Sequence, residues 1–167
     1  MHKFAFFLLL TVPLASLSQT SRALHDGHFM TTLEAIKWED PALRNIALPT
    51  QLKVAVLQGD PNVAGKPFTM LIYHPDGWRV PPHRHPVDEN LTVLKGTWMM
   101  GMGETYDENH VRPLTPGSYA FMPARTPHFA LCKGETIVQI HGIGPFKVMF
   151  VNPDDLMKGA IYRSAAD

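Results

Sequence analysis

The stretch Gly77-Trp-Arg-Val-Pro-Pro-His83-Arg-His85-Pro-Val-Asp-Glu89-Asn-Leu-Thr-Val-Leu-Lys-Gly96 decides the fold and chemistry of this chain. It places two imidazoles and a carboxylate at odd positions of one extended segment. Side chains of a strand alternate between its two faces, so residues of like parity point the same way. His83 and His85 therefore project together, and Glu89 rejoins them if the bend at residues 86–88 keeps the parity.

A third imidazole follows in the segment Gly117-Ser-Tyr-Ala-Phe-Met-Pro123-Ala-Arg-Thr-Pro-His128. Three neutral imidazoles and one carboxylate that converge on a point suit a divalent transition metal. The sequence thus predicts a metal site at four residues: His83, His85, Glu89 and His128.

Composition indicates one globular domain with a sizeable core. The chain has 167 residues, of which 45% are hydrophobic and 18% charged, which argues against disorder. The formal net charge is zero and there is no basic block, so nucleic acid is not expected as a partner. Cys132 is the only cysteine, which excludes an intramolecular disulfide, and we interpret it as a small buried apolar side chain.

The first 18 residues have the pattern of a signal peptide. Lys3 supplies a positive charge, residues 4–14 are mostly apolar, and Ser16-Leu17-Ser18 offers small residues for cleavage before Gln19. The apolar stretch is too short for a permanent membrane span. We therefore expect an exported protein, periplasmic or secreted, that is cleaved near Ser18.

Beyond the signal peptide we expect an N-terminal arm at 19–50, a β domain at 51–152 and a tail at 153–167, with one possible short helix at 156–167. The only helical turn expected in the arm, Leu33–Trp38, is ended by Glu39-Asp40-Pro41. The β domain reads as eight to ten short strands, typical of a sandwich or barrel. Strands are predicted near 52–57, 68–73, 90–94, 97–102, 118–122, 128–131, 136–141 and 147–151, with turns at 95–96 and 133–134.

These residues also resemble the cupin superfamily. Its first signature, Gly-x5-His-x-His-x3-Glu-x6-Gly, is matched in full by residues 77–96. Its second, Gly-x5-Pro-x-Gly-x2-His-x3-Asn, is matched at Gly117, Pro123 and His128 but has Arg125 and Cys132 where glycine and asparagine are usual. The resemblance covers about residues 50–152, and locally the chain is similar to small exported cupins and to the cupin domain of ChrR-type anti-sigma factors.

The resemblance implies an all-β fold, the double-stranded β-helix or jelly-roll barrel, with the metal inside. It implies the ligands His83, His85, Glu89 and His128 on one divalent ion of Fe, Mn, Ni, Co, Cu or Zn. On an octahedral ion these ligands leave roughly two positions open for water, substrate or dioxygen. It also implies a homodimer.

Strand parity suggests the rest of the pocket. We expect Met and aromatic side chains to line it, with polar anchors among them, although the apolar set alternatively forms only barrel core. The expected lining residues are Tyr73, Arg79, Trp98, Met100, Met102, Phe121 and Gln139. His141 is expected either as a general base, together with Glu89, or as a structural residue. Arg79 or Arg125 is expected to clamp a carboxylate. His74 and His110, beside turn residues, are expected to be solvated.

Two functions fit this sequence. The first is a metal-dependent enzyme, an oxygenase, isomerase or lyase, that acts on a small hydrophobic or phenolic molecule. The second is a non-catalytic exported module that binds or senses a metal or a metal–ligand complex. An accessible cavity with a positioned acid or base favours the enzyme, whereas a site closed by Trp98 and the methionines favours the binding module.

Overall fold

The computed structural model describes residues 29–46, 48–49 and 51–154. The expected signal peptide, the cleavage site and the C-terminal helix lie outside these residues. The chain divides into two compact units, Met1–Ile36 and Lys37–Asp167. In the first, the described residues contain one 3₁₀ turn, Leu33–Ala35, which is shorter than the turn expected from the sequence.

The second unit is almost entirely β-structure. Its described residues form eight strands: β1 (Lys53–Gly59), β2 (Pro67–His74), β3 (Arg79–Arg84), β4 (Glu89–Met102), β5 (Arg112–Leu114), β6 (Tyr119–Met122), β7 (His128–Ile143) and β8 (Met149–Phe150). Two 3₁₀ helices, Pro41–Arg44 and Glu108–His110, complete the described elements of this unit. None of the helices among the described residues is long and apolar enough to cross a membrane.

The helix Pro41–Arg44 was missed in the sequence. Asp40 caps it, because its carboxylate accepts a hydrogen bond from the Ala42 amide at 2.8 Å, and Pro41 occupies the first helical position. Just before it, Glu39 forms an antiparallel bridge with Val54 of β1. Part of the segment expected as an arm thus belongs to the same unit as the strands.

The described strands pair in antiparallel fashion. Their order in the sheet is β1-β2-β7-β3-β8. Strand β4 also pairs with β7, and β5 and β6 pair with β4. The central ladder runs from Asn90↔His141 to Met102↔His128. It positions the site, because β4 begins at one of the expected ligands and β7 at another. The apolar core lies along the inner faces of these strands and includes the fully buried Val54, Met70, Val93, Ala130 and Val138.

The turns expected at residues 95–96 and 133–134 are wrong. Both positions lie within continuous strands of 14 and 16 residues. Gly96 has a φ of +72° and Gly134 a φ of +73°, and the β4–β7 register shifts between Val93 and Thr97. The glycines therefore bend two long strands instead of separating four short ones, as β-bulges do.

Candidate metal centre

Four buried polar side chains meet where three strands begin or end. His83 lies near the end of β3, His85 follows one residue after that strand, Glu89 begins β4 and His128 begins β7. All four residues are buried, with exposures of only 3–5%. The structure therefore brings together all four residues that the spacing predicts.

The three histidines could hold a metal ion. One ring nitrogen from each of His83, His85 and His128 lies within 4.8 Å of the others. The carboxylate of Glu89 adjoins two of them, with Oε2 at 3.4 Å from His85 Nε2 and 3.2 Å from His128 Nε2. This spacing leaves room for one small cation between the imidazoles and the carboxylate.

Backbone carbonyl groups fix the orientation of all three rings. His83 Nδ1 lies 2.9 Å from the Pro81 oxygen, His85 Nδ1 2.8 Å from the Lys147 oxygen, and His128 Nδ1 3.0 Å from the Thr126 oxygen. Because a carbonyl oxygen only accepts, each Nδ1 carries the proton and donates it. In a neutral ring this leaves the Nε2 lone pair free to bind a metal, the outer-shell arrangement found around metal-ligating histidines.

Electrostatics keep these groups in the forms that bind metals. Burial, reinforced by the neighbouring His128 and His85, lowers the pKa of His83 to about 3, so its ring is neutral near pH 7. Burial alone would raise the pKa of Glu89, but His85 and His128 outweigh it and hold that pKa below its usual range. The site thus combines neutral imidazole with an ionised carboxylate.

Two atoms of the site have no hydrogen-bond partner, and both face the space where an ion would lie. Glu89 Oε2 and His85 Nε2 are buried and unsatisfied. In a neutral His85 ring that carries its proton on Nδ1, Nε2 offers only a lone pair to the carboxylate oxygen 3.4 Å away, and a cation between the two atoms would relieve their repulsion. The residues present therefore fit a bound divalent transition metal.

The loop before His128 keeps its conformation in spite of the missing signature glycine. Arg125 itself adopts the left-handed φ of +67°, and its amide donates to the His85 carbonyl at 2.8 Å. The Asp88 carboxylate also accepts from the Ala124 amide, at 2.7 Å. These bonds join the loop that carries His128 to the loop that carries His85, and no sequence signature pointed to the part played by Asp88.

A mostly apolar cavity of about 50 Å³ adjoins the four polar residues. Its lining includes Leu52, Ile72, Trp78, Val138, Ile140 and Phe146. Of the residues expected in a pocket, only Trp98 lines it. The volume suffices for one or two water molecules or a group of similar size, well below the 300–1,000 Å³ of a drug-sized site.

The other expected polar anchors lie elsewhere. Tyr73 and Gln139 alternate along their strands with the lining residues Ile72, Val138 and Ile140, and the Tyr73 hydroxyl donates to Glu135 at 2.8 Å. His141 follows Ile140 and is likewise absent from the lining, so the structure does not bring it to the metal ligands.

Neither arginine expected to clamp a carboxylate reaches the cavity. Arg79 forms an ion pair with Glu108, and Arg125 is exposed. Among the described residues, no arginine or lysine lines the cavity.

The expected methionine and aromatic lining forms a separate groove of about 510 Å³ on β4, β5 and β6. Met100 belongs to this groove and is buried at 8% exposure, while Met102 and Phe121 are 56% and 51% exposed. Parity placed Trp98, Met100 and Met102 on one face of β4. However, that face leaves the barrel interior toward Met102, so the three residues do not share one pocket.

His74 was expected in solvent and is instead buried, with 3% exposure, at the end of β2. It lines the cavity, as does Ile72 two residues earlier. The alternation along β2 puts His74 on the same face as Ile72 and could have indicated its burial, but the adjacent Pro75-Asp76-Gly77 turn suggested an exposed position. His110 is 82% exposed, as expected, and Cys132 is buried among apolar side chains, with its pKa raised to about 12 by burial.

Comparisons with known proteins agree with this fold. Residues 69–143 match the family model described as a cupin domain. No curated protein matches the sequence. The chain therefore contains a cupin domain, with the jelly-roll architecture and three buried histidines that could hold a metal.

Three solved structures are similar in fold. The polyketide cyclase RemF from Streptomyces resistomycificus shares 18% identity at a TM-score of 0.55, over 77% of this chain and 90% of that one. KdgF from Halomonas sp. shares 15% identity at a TM-score of 0.51, over 70% of this chain and 94% of that one. An RmlC-like cupin from Shewanella frigidimarina NCIMB 400 shares 18% identity at a TM-score of 0.50, over 75% of this chain and 93% of that one. At these identities the likeness shows the fold alone, and the narrower resemblance to ChrR-type domains stays a prediction.

Proposed function

We propose that this protein is a metal-dependent cupin enzyme that binds one divalent transition metal through His83, His85, His128 and Glu89. One observation carries the proposal: the Nε2 atoms of two carbonyl-oriented imidazoles face the Glu89 carboxylate at 3.2 and 3.4 Å. A divalent cation shared between these atoms would make that arrangement favourable and would satisfy the carboxylate and both ring nitrogens together. The ligands suit Fe, Mn, Ni, Co, Cu or Zn.

The reaction class we propose is that of an oxygenase, isomerase or lyase on a small organic molecule. A divalent ion in this site supplies Lewis acidity toward a substrate oxygen. The chain's own residues orient the three Nε2 atoms, exclude water with an apolar lining, and offer Glu89 Oε2 as a proton acceptor. The narrow cavity favours a substrate, or a reacting end of one, with few non-hydrogen atoms.

A second candidate, a non-catalytic metal- or ligand-binding protein, is favoured by the shortage of proton donors. Apart from the four proposed ligands, the only ionisable side chain that lines the cavity in the described part of the chain is His74. Burial lowers its pKa to about 3, so it cannot act as an acid near pH 7.

Turnover separates the two candidates. The full chain is loaded with Fe(II), Mn(II) or Zn(II) and incubated, in air and under argon, with a pool of small neutral hydroxyl and carbonyl compounds. An enzyme consumes at least one compound over many turnovers per chain, and Glu89→Gln abolishes its consumption. Retention of a compound in equimolar amount without consumption, seen by mass spectrometry, would establish the binding function instead.

We also propose export and a homodimer. Export rests on the N-terminal pattern, and N-terminal sequencing of the mature protein is expected to begin near Gln19. The homodimer rests on the cupin family. Light scattering is expected to give twice the mass of one chain, and a monomer would contradict it.

A further inference from the structure

Two polar atoms of the cavity lining, on side chains that are not among the proposed metal ligands, have no hydrogen-bond partner. His74 Nδ1 and Trp98 Nε1 are buried and make no hydrogen bond. Both side chains line the cavity, with 3% and 4% exposure, and their ring centroids lie 4.9 Å apart. An unsatisfied buried polar group is costly, and such groups are rare unless water or a ligand binds them.

The chemistry of the two rings specifies the group that satisfies both. The indole Nε1–H of Trp98 only donates. Burial keeps the His74 ring neutral, with one N–H and one lone pair, and the nearby carbonyls of Thr136 and Ile72 favour the N–H. The His74 lone pair therefore accepts. A hydroxyl group satisfies both rings, since its oxygen accepts from Trp98 while its proton goes to His74; a carbonyl satisfies only Trp98.

This pair lies away from the metal ligands along the sheet. Trp98 is paired with Cys132 on β7, four residues beyond His128 along that strand. The lining that the metal ligands and the two rings share is otherwise apolar and, among the described residues, has no arginine or lysine. A neutral molecule therefore fits this cavity better than an anion.

We propose that His74 and Trp98 form a hydroxyl-binding subsite of the metal cavity, so that the substrate class is a small neutral molecule with a hydroxyl group. This inference rests on the proposed function, which it deepens. A hydroxyl oxygen has two sources, an ordered water molecule or a ligand, and the experiment distinguishes them.

The test compares ethanol with acetonitrile on the ¹⁵N-labelled, Zn(II)-loaded full chain. Both probes are neutral and have three non-hydrogen atoms, but acetonitrile only accepts hydrogen bonds. The Trp98 indole N–H signal, assigned by its loss in Trp98→Phe, reports binding in an NMR titration. One additional hydrogen bond predicts a Kd for ethanol that is about five- to tenfold lower than that for acetonitrile.

Variants locate the preference. His74→Leu is expected to remove the preference for ethanol over acetonitrile. Tyr73→Phe is the control and is expected to retain that preference, because Tyr73 is the neighbour of His74 on β2 but its hydroxyl bonds to Glu135. A water cross-peak to the Trp98 indole proton that ethanol removes identifies water as the resting occupant; its absence, with ethanol preferred, identifies a ligand hydroxyl alone.

Equal Kd values, an unchanged preference in His74→Leu, or no shift of the Trp98 signal would each overturn the subsite. The comparison in the unmodified chain remains decisive if a variant does not fold. Failure of the proposed function has a different signature: the loaded protein would contain no zinc, or it would consume no compound of the pool.

Discussion

His128→Ala is expected to reduce the metal content from about one ion per chain to below about 0.1 after dialysis. The substitution removes one of three oriented imidazoles and leaves Glu89 facing a gap. Because a bound metal stabilises the folded chain by about 4 kcal/mol at a thousandfold excess over Kd, the thermal midpoint of the metal-loaded protein should fall by several degrees. Elemental analysis and thermal unfolding measure the two effects.

His110→Ala is the matched control, because His110 is exposed and bonds only to Asp107 among the described residues. It should keep full metal content and the wild-type thermal midpoint. His83→Ala should behave like His128→Ala. Equal metal content in all three variants would break the ligand assignment, even if their stabilities differed.

Gly96→Ala is expected to destabilise the chain by about 3 to 5 kcal/mol, the second large effect. Gly96 has a φ of +72°, where an L side chain is strained. A Cβ there would lie 2.5 Å from Thr136 Oγ1 and 2.9 Å from Thr136 Cα, and closer still to the Glu135 carbonyl oxygen. Thr136 is fully buried, so the backbone of β7 cannot give way easily.

Gly134→Ala separates strain from crowding. Gly134 has nearly the same φ, +73°, but nothing lies within 4 Å of an added Cβ. Its cost should be about 1 to 2 kcal/mol, that of the left-handed conformation alone. Urea unfolding of both variants checks the difference, and equal losses would mean that the close approach of β4 and β7 at Gly96 is not rigid.

The cluster of three histidines and one glutamate was predictable from the sequence because its residues lie on short segments with a fixed period. His83 and His85 are two residues apart, and the bend before Glu89 preserves their common face. The identity of the carbonyls that orient the rings was not predictable. The Lys147 oxygen reaches His85 across 62 residues, and only the closed barrel brings the two together.

The pocket was harder to predict because the alternation of side chains along a strand shows which face a residue is on, but not how deeply that residue is buried. Met100 and Met102 share the parity of Trp98, yet β4 carries them from the interior to an exposed groove. The bends at Gly96 and Gly134 were read as turns for a similar reason: glycine signals a change of direction without showing whether pairing continues. Long bent strands and separate short strands have the same local sequence.

The most direct test of the metal centre is a crystal structure of the metal-loaded full chain with anomalous data across the edges of the metals from manganese to zinc. We predict one anomalous peak per chain, about 2.0–2.2 Å from the Nε2 atoms of His83, His85 and His128 and from a carboxylate oxygen of Glu89. No peak at that position, or an ion bound only elsewhere, would contradict the account.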